Sequence, residues 1–264
     1  KRRKSNEHAA WSGAVPLSNN QQNTQSGMKK RFWKDVDVVP QENGWVIHLD
    51  GRPLRLPGRT LLHVSAQPLA EALAAEWRQA GKGPGELFHV DELPLTGLCG
   101  TMTERVPAER EGMTEALLAY AHSDLLCYRA DNWSELSRLQ EEQWGRWLSW
   151  CARTFGASLQ VTEGIMPITQ PPEVVKALRD ALEGMTPAEL TVLAVAVPVL
   201  GSLVLGLAAL KSDEDAEALV KCAMLDEQSQ MERWGADIAI TDRMAAKVRD
   251  VADVLRFRSL LCQK

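Results

Sequence analysis

Residues 190–210 run for 21 positions without a single charged side chain. A stretch of that length could span a bilayer, which takes about 20 apolar residues. Three features argue for another fate. Pro198 interrupts the run, Gly201 and Gly206 weaken it, and Ala and Val stand where Leu, Ile and Phe would be expected. The same pattern describes two buried helices that meet between Pro198 and Gly201 inside an all-α core. The expectation is burial in a soluble fold, with helices over residues 133–155 and 220–238 covering the apolar faces.

The rest of the composition fits a globular chain. Its 264 residues provide ample core material for one large or two modest domains, and 45% hydrophobic with 25% charged residues is ordinary. A net charge of −5 argues against a general nucleic-acid binder, which needs a basic face. The five cysteines, Cys99, Cys127, Cys151, Cys222 and Cys262, are odd in number and widely spaced. They read as free thiols in a reducing compartment, not as a disulfide framework or a zinc site. Residues 1–28 read as a disordered extension, rich in Asn, Gln and Ser and without apolar period. Lys1-Arg2-Arg3-Lys4 is faintly like a transit peptide but has no amphipathic apolar face, and Met28 looks like a natural beginning.

Residues 29–106 read as a small α+β domain with antiparallel strands. Val36 and Val38, then Trp45, Ile47 and Leu49 after Asn43-Gly44, alternate with polar residues as in half-buried strands. Asp50-Gly51 signals a hairpin leading to Leu54 and Leu56. A helix capped by Ser65 carries Leu69, Leu73 and Trp77. From Pro107, a first-turn proline, residues 107–264 read as a larger all-α domain, with a long helix from Trp133 and a loop from Ile165.

Three motifs invite chemistry and fail on context. Gly81, Gly83 and Gly85 are spaced like a phosphate loop, but no strand precedes them and no helix follows. Glu86 and His89 have the spacing of a metal-binding helix, yet they stand alone and in a strand. His122-Ser123-Asp124 juxtaposes triad residue types, but consecutive residues cannot point at one another. Neither a metal nor a cofactor is expected.

The most informative stretch is 220–238. Val220, Met224, Met231, Trp234 and Ile238 fall on one stripe of a helix, and the step of three from Met224 lands on Glu227, with Gln230 one turn on. A carboxylate in an apolar seam is costly unless it is paired internally or kept for another molecule; the third reading is a Glu that snorkels to water.

Several runs in the same order resemble the assembly chaperones for the alpha subunit of the soluble catalytic head of ATP synthase, the ATP-twelve family. They are Arg31-Phe32-Trp33-Lys34, Leu49-Asp50-Gly51-Arg52-Pro53-Leu54, Glu76-Trp77 and Leu93-Pro94-Leu95-Thr96. After them come Ser123-Asp124-Leu125-Leu126-Cys127-Tyr128-Arg129-Ala130, Gln143-Trp144, Trp150, Gly201-Ser202-Leu203 and Leu225-Asp226-Glu227 with Gln230 and Trp234-Gly235. The chain departs from the family at Gly145-Arg146, where Asp-Pro is common, and at Ser229, where an aromatic is common. The resemblance implies a two-domain, non-enzymatic chaperone of bacterial cytoplasm or, alternatively, mitochondrial matrix. It would hold the free alpha subunit until beta arrives. The family's important acid maps onto Glu227, with Asp226, Gln230, Met231 and Trp234 as partner-binding neighbours. Its important first-helix Trp maps onto Trp77, which could be a contact or an anchor. The competing reading is a helical-bundle enzyme or scaffold with a polar site of Glu227 and Arg129.

Overall fold

The computed structural model describes residues 27–130, 134–164 and 167–262. The expectations for the extension up to Ser26, and for Trp133 and Ile165 as element starts, lie outside these residues. The fold is α+β, with a small antiparallel-strand part and a larger helical part. The chain divides between Arg105 and Val106 into two compact units, and the residues from Leu260 group with the first.

In the first unit, β1 (Met28–Lys30) pairs antiparallel with β6 (Leu87–His89), so Met28, expected in the extension, stands opposite His89. The hairpin of β2 (Val36–Gln41) and β3 (Gly44–Leu49) sets Val38 against Ile47, and Val36, Val46, Ile47 and Leu49 are buried. Asp50 (φ 49°) and Gly51 (φ 73°) are both left-handed, as a two-residue hairpin loop requires, and lead into β4 (Arg52–Pro53). The Asp50 carboxylate accepts the N–H groups of Lys34 and Asp35, both at 2.9 Å, which hold its pKa below the usual range. β5 (His63–Val64) returns onto β3.

The helix expected next is α1 (Gln67–Gln79), but Ser65 does not cap it. The N-cap is Ala66, without a side-chain bond, and Pro68 presets the first turn instead. Leu69, Leu73 and Trp77 point inward. The helical pattern also begins earlier than Pro107. Pro94 opens α2 (Pro94–Gly100), a π-helical turn covers Thr101–Arg105, and α3 (Val106–His122) follows. Pro107 therefore lies inside helical chain. The wide turn before it and the non-helical Glu109 (φ −125°, ψ 17°) after it absorb its missing N–H and its ring clash.

The second unit is helical apart from β7 (Tyr128–Arg129) and β8 (Thr162–Glu163), which pair in parallel. α4 (Glu135–Phe155) is capped by the Ser134 hydroxyl and ends on left-handed Gly156. α5 (Pro172–Glu183) precedes α6 (Pro187–Leu200), which opens with a Thr186/Glu189 capping box. Gly201 (φ 68°) then reverses the chain, and Ser202 caps α7 (Leu203–Lys211). Residues 190–210 are thus two helices, and among the described residues no helix is long and apolar enough to cross a membrane.

α6 and α7 pack on each other and on α3, α7 also meets α4, and both meet α8 (Ala216–Ala223). The expected cover was incomplete. α3 contributes, whereas beyond Met224 the helix α9 (Leu225–Trp234) buries no side chain. α10 (Ile238–Cys262) completes the unit, burying Val251, Val254 and Phe257. Gly206 is where α6 and α7 come closest: a Cβ there would lie 2.3 Å from Val197 Cγ2 and 3.4 Å from its Cα. A valine in a helix has essentially one χ1 rotamer, so it cannot swing away. Gly206→Ala is expected to destabilise by about 1–2 kcal/mol despite its better helix propensity, checked by urea unfolding.

Candidate functional site

The stripe of residues 220–238 does not form one seam. The chain breaks helix at Met224 (φ −109°, ψ 28°), so side chains beyond it change phase. Val220 and Met224 are buried, Met231 is half-buried, and Trp234 and Ile238 stand 75% and 79% exposed. The break is closed by the Gln228 amide, whose Nε2 donates to the carbonyls of Lys221 at 2.7 Å and Met224 at 3.1 Å. At the other end Gly235 (φ 99°, ψ 165°) stops α9, leaving Trp234 at its tip with the Arg233 guanidinium 5.9 Å from the ring centroid.

Glu227 is half-buried in the first turn of α9. Among the described residues its carboxylate has neither a hydrogen bond nor an ion pair. Its field reaches Lys247 of α10, whose pKa is lowered by burial and partly restored by Glu227. The Lys247 ammonium is already spent on the Val199 carbonyl, near the end of α6. Gln230 is exposed on the same helix.

Asp226 has a different environment. Its Oδ1 accepts from Gln140 Nε2 of α4 at 2.7 Å. Arg129 does not pair with Glu227, so the polar site expected of those two residues is absent. Its guanidinium lies 5.2 Å from the Trp144 ring centroid, donates to the Gln140 carbonyl at 2.8 Å and reaches Glu141 at 3.7 Å. The two residues face different neighbours because Glu227 is turned toward α10 while the next residue back faces α4.

Trp77 is in the first unit and 4% exposed. Its Nε1 donates to Thr96 Oγ1 at 3.0 Å, its carbonyl accepts from Trp33 Nε1 at 2.9 Å, and its ring meets Trp33 edge to face at 4.8 Å. Next to it, the buried Glu76 carboxylate takes the N–H groups of Leu95 at 2.7 Å and Thr96 at 3.0 Å, which start α2. This is the geometry of an anchor.

Asp124 stood out in the sequence only within the failed triad pattern and the family run, and its structural role was not foreseen. Its carboxylate is wholly buried and accepts the N–H groups of Leu126 and Val204, both at 3.1 Å, tying the turn after α3 to the start of α7. An Asp directly before an apolar run was the available signal, since it can cap the turn that follows.

Burial raises the thiols of Cys127 and Cys151 to about 12 and Cys222 to about 11, the reverse of an activated cysteine. Among the described residues no group of three His, Cys, Asp or Glu side chains could hold a metal.

Residues 30–152 match the model of the family described as ATP12 chaperone protein. The chain is 25% identical over 220 residues to the mitochondrial protein atp12 of Schizosaccharomyces pombe, covering 78% of this chain and 74% of that one. Among solved structures it resembles Atp12 from Paracoccus denitrificans at 35% identity and a TM-score of 0.79, over 88% of this chain and 98% of that one. A candidate chaperone from Agrobacterium tumefaciens is 32% identical with a TM-score of 0.77, over 87% of this chain and 86% of that one. Shared sequence at this level, carried across almost the full length of a solved relative with the same fold, places the chain in the ATP12 chaperone family.

Proposed function

We propose that this chain is a non-enzymatic chaperone for assembly of the soluble catalytic head of ATP synthase. It binds the unassembled alpha subunit and keeps it from aggregating until beta pairs with it. The observation that carries this reading is α9: a helix that buries none of its side chains, offers an unpaired, half-buried Glu227 and exposes Trp234 at its tip. Ionised groups that give up water without a partner are costly, and large exposed aromatics are the usual anchors of interfaces. Glu227, Gln230, Met231 and Trp234 form the proposed docking face. Trp77 is left out of that face, because its ring and Nε1 are taken up inside its own unit.

The test is direct. Alpha subunit diluted from denaturant should stop scattering light when an equimolar amount of this chain is present, and the two should elute together on size exclusion. Alpha that aggregates at the same rate with the chain in excess would overturn the proposal. The same reading expects the purified protein neither to hydrolyse ATP nor to hold one metal per chain. Turnover that survives further purification counts against it.

A further inference from the structure

We infer that Asp226 is a positioning residue, the latch that sets the aim of α9, and not a charge offered to the client. The inference rests on the docking face proposed above. It starts from Gln140 on α4, which is 1% exposed. The Gln140 Oε1 accepts the backbone N–H of Ala130 at 2.7 Å, and its main-chain carbonyl accepts from Arg129 Nη1 at 2.8 Å. With the amide oxygen committed to a donor, Nε2 has to point the other way, and it donates to Asp226 Oδ1 at 2.7 Å. Turning the amide over would set NH2 against N–H, so only one orientation satisfies both ends.

Asp226 is the second residue of α9, in the first turn, where an acid is favoured by the unpaired N–H groups. Among the described residues, the Gln140 bond is the only hydrogen bond from a side chain of α9 to an element outside α8 and α9; the Gln228 amide reaches only Lys221 and Met224. A ten-residue helix without buried side chains is marginal by itself. The direction in which Glu227 points is therefore set one residue earlier. What the latch needs from residue 226 is an acceptor oxygen. The charge is incidental, although the Arg129 guanidinium below it is drawn to it.

Amide hydrogen exchange over residues 225–234 and capture of alpha subunit, measured on four variants, test this. Asp226→Asn keeps the acceptor and drops the charge; it should exchange like the parent and capture within about threefold of it. Asp226→Leu and Gln140→Met should each exchange α9 about tenfold faster and lose about tenfold in capture. The double variant should exchange α9 no faster than Gln140→Met alone, since both singles remove the same bond between residues 140 and 226, and the Ala130 N–H is given up only by Gln140→Met. Unchanged exchange in α6 and α7 marks an intact core in all four.

Capture lost as deeply in Asp226→Asn as in Asp226→Leu, with α9 still protected, would make Asp226 a charge contact and overturn the latch. Unchanged α9 exchange in Gln140→Met would overturn it as well. Should Gln140→Met fail to fold, exchange in Asp226→Leu decides, because that side chain is only half-buried. Exchange reads the latch without any client. If the docking face is wrong, so that Glu227→Gln captures fully, the latch still stands or falls on exchange alone.

Discussion

Glu227→Gln is expected to melt at the parent temperature while losing roughly thirtyfold or more in affinity for alpha subunit. The stability half follows from the absence of an internal partner: neither hydrogen bond nor ion pair is broken, and what is lost is a field acting on Lys247. A partly exposed charge at that range contributes about 0.5 kcal/mol or less. The affinity half follows from desolvation. Truncating one charged member of an interfacial pair costs about 2–5 kcal/mol, because the partner's cation is then buried alone. Glu227→Lys should be worse. It sets a like charge against the client's cation and adds a second ammonium beside Lys247. Melting and capture measured on one preparation separate the outcomes. Full capture at normal stability removes Glu227 from the interface. A loss of about 3 kcal/mol or more in stability, on the order of an orphaned buried charge, would mean the carboxylate is paired inside the protein.

How much of this was legible depends on how far apart the determining residues lie. The reversal between α6 and α7 is written locally: Pro198, Gly201 and Ser202 stand within five positions, and helix, left-handed turn and cap follow from them. The break at Met224 is not. It depends on the Gln228 side chain satisfying carbonyls of the preceding helix, and a hydrophobic stripe that continues through 238 in periodicity gives no sign of it. Pro107 misled for a related reason. A proline looks like a helix start, but the chain can widen into a π-turn and pass it, and Pro94 had already made the start. At the site, an acid on an apolar stripe drew attention to Glu227, although the stripe itself is broken at Met224. Asp226 looked equivalent because its partner, Gln140, is 86 positions away. Trp77 shows the limit from the other side: a motif residue whose importance is compatible with contact or anchoring until Thr96 and Trp33 are seen around it.

Asp124→Ala is expected to destabilise the helical unit by about 3–5 kcal/mol at pH 4–5. It strips the acceptor from two buried N–H groups, those of Leu126 and Val204, and each orphaned donor costs about 1–3 kcal/mol, with a small void in addition. The cost also depends on pH, in a direction set by burial. Desolvation pushes the Asp124 carboxyl up from 3.8 to about 6, against the opposing pull of the Ser202 hydroxyl and the N–H groups of Val204 and Leu126. The folded state therefore holds the proton more tightly than the unfolded chain. The stability that this contributes is fully present below about pH 3.8 and is lost as pH rises through about 6, about 3 kcal/mol in total. An alanine at this position cannot titrate, so the parent's advantage over Asp124→Ala should narrow between pH 4 and pH 7, read from urea unfolding at matched ionic strength. An advantage that widens over that range would show that the ionised carboxylate is the form the fold prefers. In that case the N–H groups at the start of α7 would outweigh the loss of water.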